Sequence, residues 1–225
     1  MPSDDRVTSG PTFGEMLEHA GLIEKPSMVT REIIRATGEA VAEYARVNLV
    51  VVSCVDCTAP KACCWLKTKC YLHEAVPIVA RLLRDGRDTP ELRAELRAAA
   101  HYMENAPKRQ HQRPCVFLDG EERCTVYEDR PSVCGTHLVS SPATECSGLV
   151  GNVRRLSAPL QDQAPPEIEE EFVLAAGLRR LDRRYACALP RMVLICLEAW
   201  PRRDYVSFLA ERVLPAAHRF HAITR

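Results

Sequence analysis

Apolar positions recur at helical spacing through most of the chain. Ile34, Thr37, Val41 and Tyr44 share one face, and Thr30 can cap a helix running to about Val52. A short helical turn is expected around Phe13 to His19. Val76, Val79, Ala80 and Leu83 line one face of a helix over residues 74–85, with Pro77 tolerated in its first turn. Thr89-Pro90 reads as a cap followed by proline at the first helical position, and the helix it starts places Leu92, Leu96, Ala99 and Met103 on one stripe. Beyond residue 165 come three more helical patterns. The clearest is Leu189, Met192, Val193, Cys196, Leu197 and Trp200, spaced i, i+3, i+4, i+7, i+8, i+11.

Two stretches break this rhythm. Residues 54–70 have no clean period and read as loop with short turns. In residues 107–147, Cys115-Val-Phe-Leu and Cys124-Thr-Val-Tyr are short β-like runs separated by Asp119-Gly120-Glu-Glu-Arg, a hairpin signal. Pro131 can then start a short helix carrying Cys134. Residues 148–165 contain Pro159, Pro165 and few periodic apolar positions, so they read as a linker. The expectation is a mainly α fold: helices around an irregular cysteine-rich metal-binding core with one short β-hairpin. An N-terminal arm covers 1–28, a cysteine-cluster domain 29–147, the linker 148–165, and C-terminal helices over 166–225 pack on the same domain.

Composition narrows the function classes. The 225 residues are 46% hydrophobic and 27% charged, which excludes wholesale disorder. A chain of this length buries a core without needing covalent staples. Thirty basic residues balance thirty acidic ones, which excludes an overall polycationic nucleic-acid binder. The one basic run, Arg179-Arg180-Leu-Asp-Arg183-Arg184, follows Glu residues along a predicted helix and suits its dipole. No glycine-rich nucleotide loop is present. The N-terminus is polar and acidic, without the basic and apolar regions of a secretory signal. The longest unbroken apolar run, Met192 to Leu197, is far short of a membrane span. A cytoplasmic protein without membrane or nucleic-acid partners is expected.

Among the eleven cysteines, nine lie between positions 54 and 146. The first group is Cys54-Val-Asp-Cys57-Thr-Ala-Pro-Lys-Ala-Cys63-Cys64, with Cys70 after it; the second is Cys115, Cys124, Cys134 and Cys146. In a reducing compartment such a pattern binds metal or does redox chemistry more often than it forms disulfides. A C-x2-C step lets two thiolates reach one metal from one turn, as at zinc and iron–sulfur sites. Close thiolates repel, and a bound cation removes that cost while contributing folding energy. Adjacent side chains at Cys63 and Cys64 diverge, so the pair could serve two metal atoms, or one thiol could ligate while the other packs.

The segments Cys54-x2-Cys57-x5-Cys63-Cys64 and Cys115-Val-Phe-Leu-Asp-Gly-Glu-Glu-Arg-Cys124-Thr-Val-Tyr-Glu-Asp-Arg-Pro-Ser-Val-Cys134 resemble the CxxCxxCC cysteine-cluster family, whose domain is described as zinc- or iron-chelating. The resemblance covers about residues 54–147. It implies Cys54, Cys57, Cys63, Cys64, Cys115, Cys124 and Cys134 as ligands, and Cys146 joins them by position. The family includes iron–sulfur-dependent flagellin lysine methylases and many members without assigned activity. Two departures stand out: residues Thr58 to Ala62 stretch the first cluster, and Gly135 follows Cys134 where the family typically has Arg.

The leading expectation is a metal-binding protein holding an iron–sulfur cluster, of the 4Fe-4S type, or zinc. The alternatives are an S-adenosylmethionine-dependent protein lysine methylase-like or redox enzyme with a protein substrate, and a zinc-stabilised interaction module. Further ligand candidates are Cys70 and His137, the latter at C-x2-H spacing from Cys134, as His73 is from Cys70. Tyr127 and Arg130 either face the metal site or belong to a turn in which Asp129 caps the Pro131 helix and Arg130 pairs with Glu128 or Asp129. Cys187 and Cys196 fall on apolar helical stretches and read as core.

Overall fold

The computed structural model describes residues 10–52, 62–105, 113–140, 156, 166–178 and 185–224. It is mainly helical, with one two-stranded antiparallel sheet. The helices are α1 (Phe13–His19), α2 (Lys25–Asn48), α3 (Leu72–Arg84), α4 (Pro90–Asn105), α5 (Ser132–Thr136), α6 (Pro166–Ala175), α7 (Leu189–Ala199) and α8 (Tyr205–Thr224). The strands are β1 (Lys69–Tyr71) and β2 (Ala186–Ala188). No helix among the described residues is long and apolar enough to cross a membrane.

The core centres on α7, which lies against both α3 and α4. Its expected stripe is buried from Leu189 to Leu197, with Trp200 partly buried just past the helix, and Leu194 and Ile195 on other faces are buried too. A helix covered on several sides is apolar nearly all round. Burying each such Leu or Ile side chain stabilises by about 1.5–3 kcal/mol.

Residues 10–22, expected in the N-terminal arm, pack into this core: Phe13, Leu17 and Leu22 are buried. Thr12 and Glu15 form a capping box at the start of α1. The Phe13 and Gly14 N–H groups donate to the Arg202 and Trp200 carbonyls at 2.9 and 3.1 Å. A Cβ on Gly14 would collide with the Trp200 indole, so only glycine lets α1 approach the end of α7 this closely.

Several boundaries differ from expectation. Helix α2 begins at Lys25 rather than after Thr30, because Pro26 supplies a favourable first turn. Its buried stripe runs through Thr30, Thr37, Val41 and Ala45, while Tyr44 is exposed. Helix α3 begins at Leu72, which puts Pro77 in its interior, where it removes one backbone hydrogen bond. Thr89 caps α4 as expected, with the Leu92 N–H donating to its hydroxyl at 3.2 Å.

Two-stranded pairing falls elsewhere than the expected hairpin. Residues 115–127 form a turn closed by a single bridge between Leu118 and Cys124. The sheet instead pairs Lys69 with Ala188, Cys70 with Cys187 and Tyr71 with Ala186. The Leu72 N–H donates to the Tyr185 carbonyl and the Leu189 N–H to the Thr68 carbonyl, both at 2.9 Å. That alternation makes Cys70 and Cys187 a hydrogen-bonded pair of the ladder. The expected linker, except Leu156, and the basic run at 179–184 lie outside the described residues.

Candidate metal centre

The second cysteine segment is held on the helical core by a chain of polar contacts. It starts where the Cys115 N–H donates to the Cys64 carbonyl at 2.8 Å. Cys64 ends a run whose backbone forms a 3-10 turn at Ala62–Trp65, so this bond joins the two cysteine segments. Between Cys115 and Cys124 the chain reverses around Asp119, whose carboxylate accepts the N–H groups of Glu121 and Arg123, each at 2.9 Å. Such a side chain mimicking a backbone turn is typical of aspartate. The left-handed position is taken by Glu122, at φ 57°, and not by Gly120. Buried Phe117 and Val126 pin the two arms of the turn to the core.

After Val126 the chain makes a 3-10 turn at Tyr127–Asp129 and enters α5. Asp129 does not cap α5. One of its oxygens accepts from the Ser27 hydroxyl at 2.8 Å and the other from Arg81 Nε at 2.5 Å, tying the turn to α2 and α3. The Arg130 guanidinium does not reach Glu128 or Asp129 but lies over the Tyr127 ring, 4.0 Å from its centre. Tyr127 is about half exposed.

Glu74 completes the attachment. This buried carboxylate accepts the Tyr71 N–H at 3.0 Å and the Ser132 N–H at 2.8 Å. The first bond closes a capping box for α3, and the second holds the first residue of α5, which has no side-chain cap of its own. Gly135 lets α5 press against α2. A Cβ there would meet Ile34 carbons at 2.5–2.7 Å.

These contacts gather Cys115, Cys124 and Cys134 into one electrostatic neighbourhood. Burial pushes the Cys134 thiol up, and Cys115, Glu74 and Cys124 push it further, with Arg130 pulling the other way. A thiol raised by its neighbours in this way gains from a cation that neutralises it. Among the described residues, no group of three or more His, Cys, Asp or Glu converges tightly enough to hold a metal ion. Cys54, Cys57 and Cys146 lie outside the described residues, as does the Cys63 side chain. The donor chemistry present, thiols beside a buried carboxylate, fits a thiophilic cation.

Cys70 belongs to a different environment. It is fully buried in β1, and its thiol donates to the Tyr71 carbonyl at 3.3 Å. Burial raises it, with Glu74, Cys187, Cys134 and Cys196 adding to the shift. Cys187 and Cys196 are fully buried as well. His137 is half-buried at the C-terminal end of α5. His73 is buried, its ring stacked on Tyr71 at 5.5 Å between centres.

Glu74, Arg81 and Ser27 are the residues of this region that sequence reasoning did not single out. Only Glu74 carried a signal: one carboxylate opening the otherwise apolar face of residues 72–83. The usual capping pattern was hidden because the N-cap is Tyr71.

Comparison with known proteins bears on the segment as a whole. Residues 53–147 match the model of the CxxCxxCC family, described as "Putative zinc- or iron-chelating domain". No curated protein and no solved structure matches the chain.

Proposed function

We propose, from a chain whose residues 53–147 belong to the zinc- or iron-chelating CxxCxxCC family, that the metal it binds is held as an iron–sulfur cluster by thiolates of both cysteine segments. The ligands in this reading are Cys54, Cys57, Cys63, Cys64, Cys115, Cys124, Cys134 and Cys146. The observation that carries it is the Cys115–Cys64 backbone bond, which brings the two segments together. The influence of Cys115 and Cys124 on the Cys134 thiol supports the same reading.

Iron–sulfur is favoured over mononuclear zinc by the vicinal Cys63-Cys64 pair. Neighbouring side chains diverge, which suits two irons of one cluster better than one tetrahedral ion. When bound, such a cluster supplies one-electron redox chemistry. The chain's own part is to present these thiols, half-buried at Cys64, Cys115, Cys124 and Cys134.

The test is elemental analysis and an absorption spectrum on protein purified without oxygen. Iron with labile sulfide and absorption near ~400 nm is the expected result. Colourless protein with stoichiometric zinc overturns the iron–sulfur assignment and leaves a zinc-stabilised domain.

A further inference from the structure

We propose that Glu74 is a positioning residue of the metal site, setting where Cys134 stands relative to the helical core. The inference rests on metal binding by the cysteine segments. It starts from the two hydrogen bonds of one buried carboxylate, to the Tyr71 N–H at 3.0 Å and to the Ser132 N–H at 2.8 Å. A capping box at α3 needs only one of the two oxygens. The other reaches across 58 positions to α5.

Helix α5 is five residues long, too short to hold its own place, and no side chain caps it. Its first N–H is satisfied by Glu74, and Cys134 is its third residue. The carboxylate therefore links the start of the Cys134 helix to the start of α3. Asp129 clamps the preceding turn to Arg81 and Ser27, so the segment is fixed on both sides of Pro131.

Two variants remove the link from opposite ends. Glu74→Gln leaves one acceptor for two N–H donors. Ser132→Pro removes the donor and puts the ring Cδ where the N–H pointed, so the Glu74 oxygen must swing aside. Proline is tolerated at the first position of a helix, and Pro131 already has the extended backbone, φ −56° and ψ 151°, that a following proline requires. Ser132→Pro keeps both Glu74 oxygens, either of which can take the Tyr71 N–H, so it stays informative where Glu74→Gln weakens folding. Glu104→Gln is the control. It breaks a buried two-bond pair with Arg191, both bonds 2.8 Å, away from the cysteine segments.

Anaerobic, metal-depleted full-length protein is titrated with cobalt(II), and the thiolate-to-cobalt absorption is read. Each of Glu74→Gln and Ser132→Pro is expected to weaken cobalt binding by about ten-fold or more, as losses around a metal site generally do. Because both cut one link, the double variant should lose about as much as one single variant. Glu104→Gln should lower the melting temperature and leave cobalt affinity at the parent's level. Parent-like affinity and absorption in both Glu74→Gln and Ser132→Pro overturn the proposal, as does equal weakening in Glu104→Gln. A parent protein that shows no thiolate-to-cobalt absorption overturns the metal-binding reading itself, a result distinct from parent-like variants.

Discussion

The main-chain N–H of Cys115 donates to the carbonyl of Cys64 at 2.8 Å, a backbone bond between the last cysteine of the first run and the first of the second. It makes the first run's placement depend on the second's, which is in turn held by Glu74, Asp129 and the buried Phe117.

Cysteines of the two environments should behave oppositely on substitution. Cys124→Ser is expected to reduce bound metal well below the parent's stoichiometry and to lower the melting temperature. Cys196→Ala, deep in α7, should keep the metal and cost about 1–2 kcal/mol of stability through lost packing. Metal content and thermal unfolding on the same preparations check both, and metal loss from Cys196→Ala would contradict the assignment of that thiol to the core.

Gly135 should resist even the smallest side chain. Alanine normally gains up to about 1 kcal/mol over glycine in a helix. Here its Cβ would meet Ile34 at 2.5–2.7 Å, and overpacking of that kind costs about 1–3 kcal/mol. Gly135→Ala is therefore expected to destabilise, and Ile34→Ala in the same chain to recover part of the loss. Urea midpoints of the parent, the two single variants and the double variant measure the coupling.

Thr37 is fully buried on α2, and its hydroxyl has no hydrogen-bond partner among the described residues. Thr37→Val keeps the shape and removes the unsatisfied group. It should stabilise the protein by about 1 kcal/mol. A fall in the denaturation midpoint would show that the hydroxyl finds a partner in solution.

His73 should make stability sensitive to mild acid. Burial pushes its pKa below the ordinary 6.5, and Glu74 offsets part of the shift. The folded state thus holds the ring neutral while the unfolded chain takes up a proton. The stability contributed this way is complete above about pH 6.5 and is lost as pH falls below it toward the folded-state value. Melting temperatures from pH 7.5 to 5 should fall more steeply for the parent than for His73→Gln. Parallel slopes would mean that other groups govern the acid response.

Local pattern was enough to reveal much of this protein. The α4 stripe behind Thr89-Pro90 and the apolar run of α7 were legible because helical periodicity and capping are written in neighbouring residues. The cysteine spacing likewise announced metal chemistry. What periodicity reports is a face, not what covers it. So Leu194 and Ile195, off the expected stripe, are buried because α7 has neighbours on several sides, and Tyr44 is exposed because the covered face of α2 runs through Ala45. The pairing of β1 with β2, the Cys115–Cys64 bond and the reach of Glu74 to Ser132 were decided only by tertiary structure. Each engages at least one main-chain group of the kind nearly every residue carries, so no residue type marks the partner in the sequence.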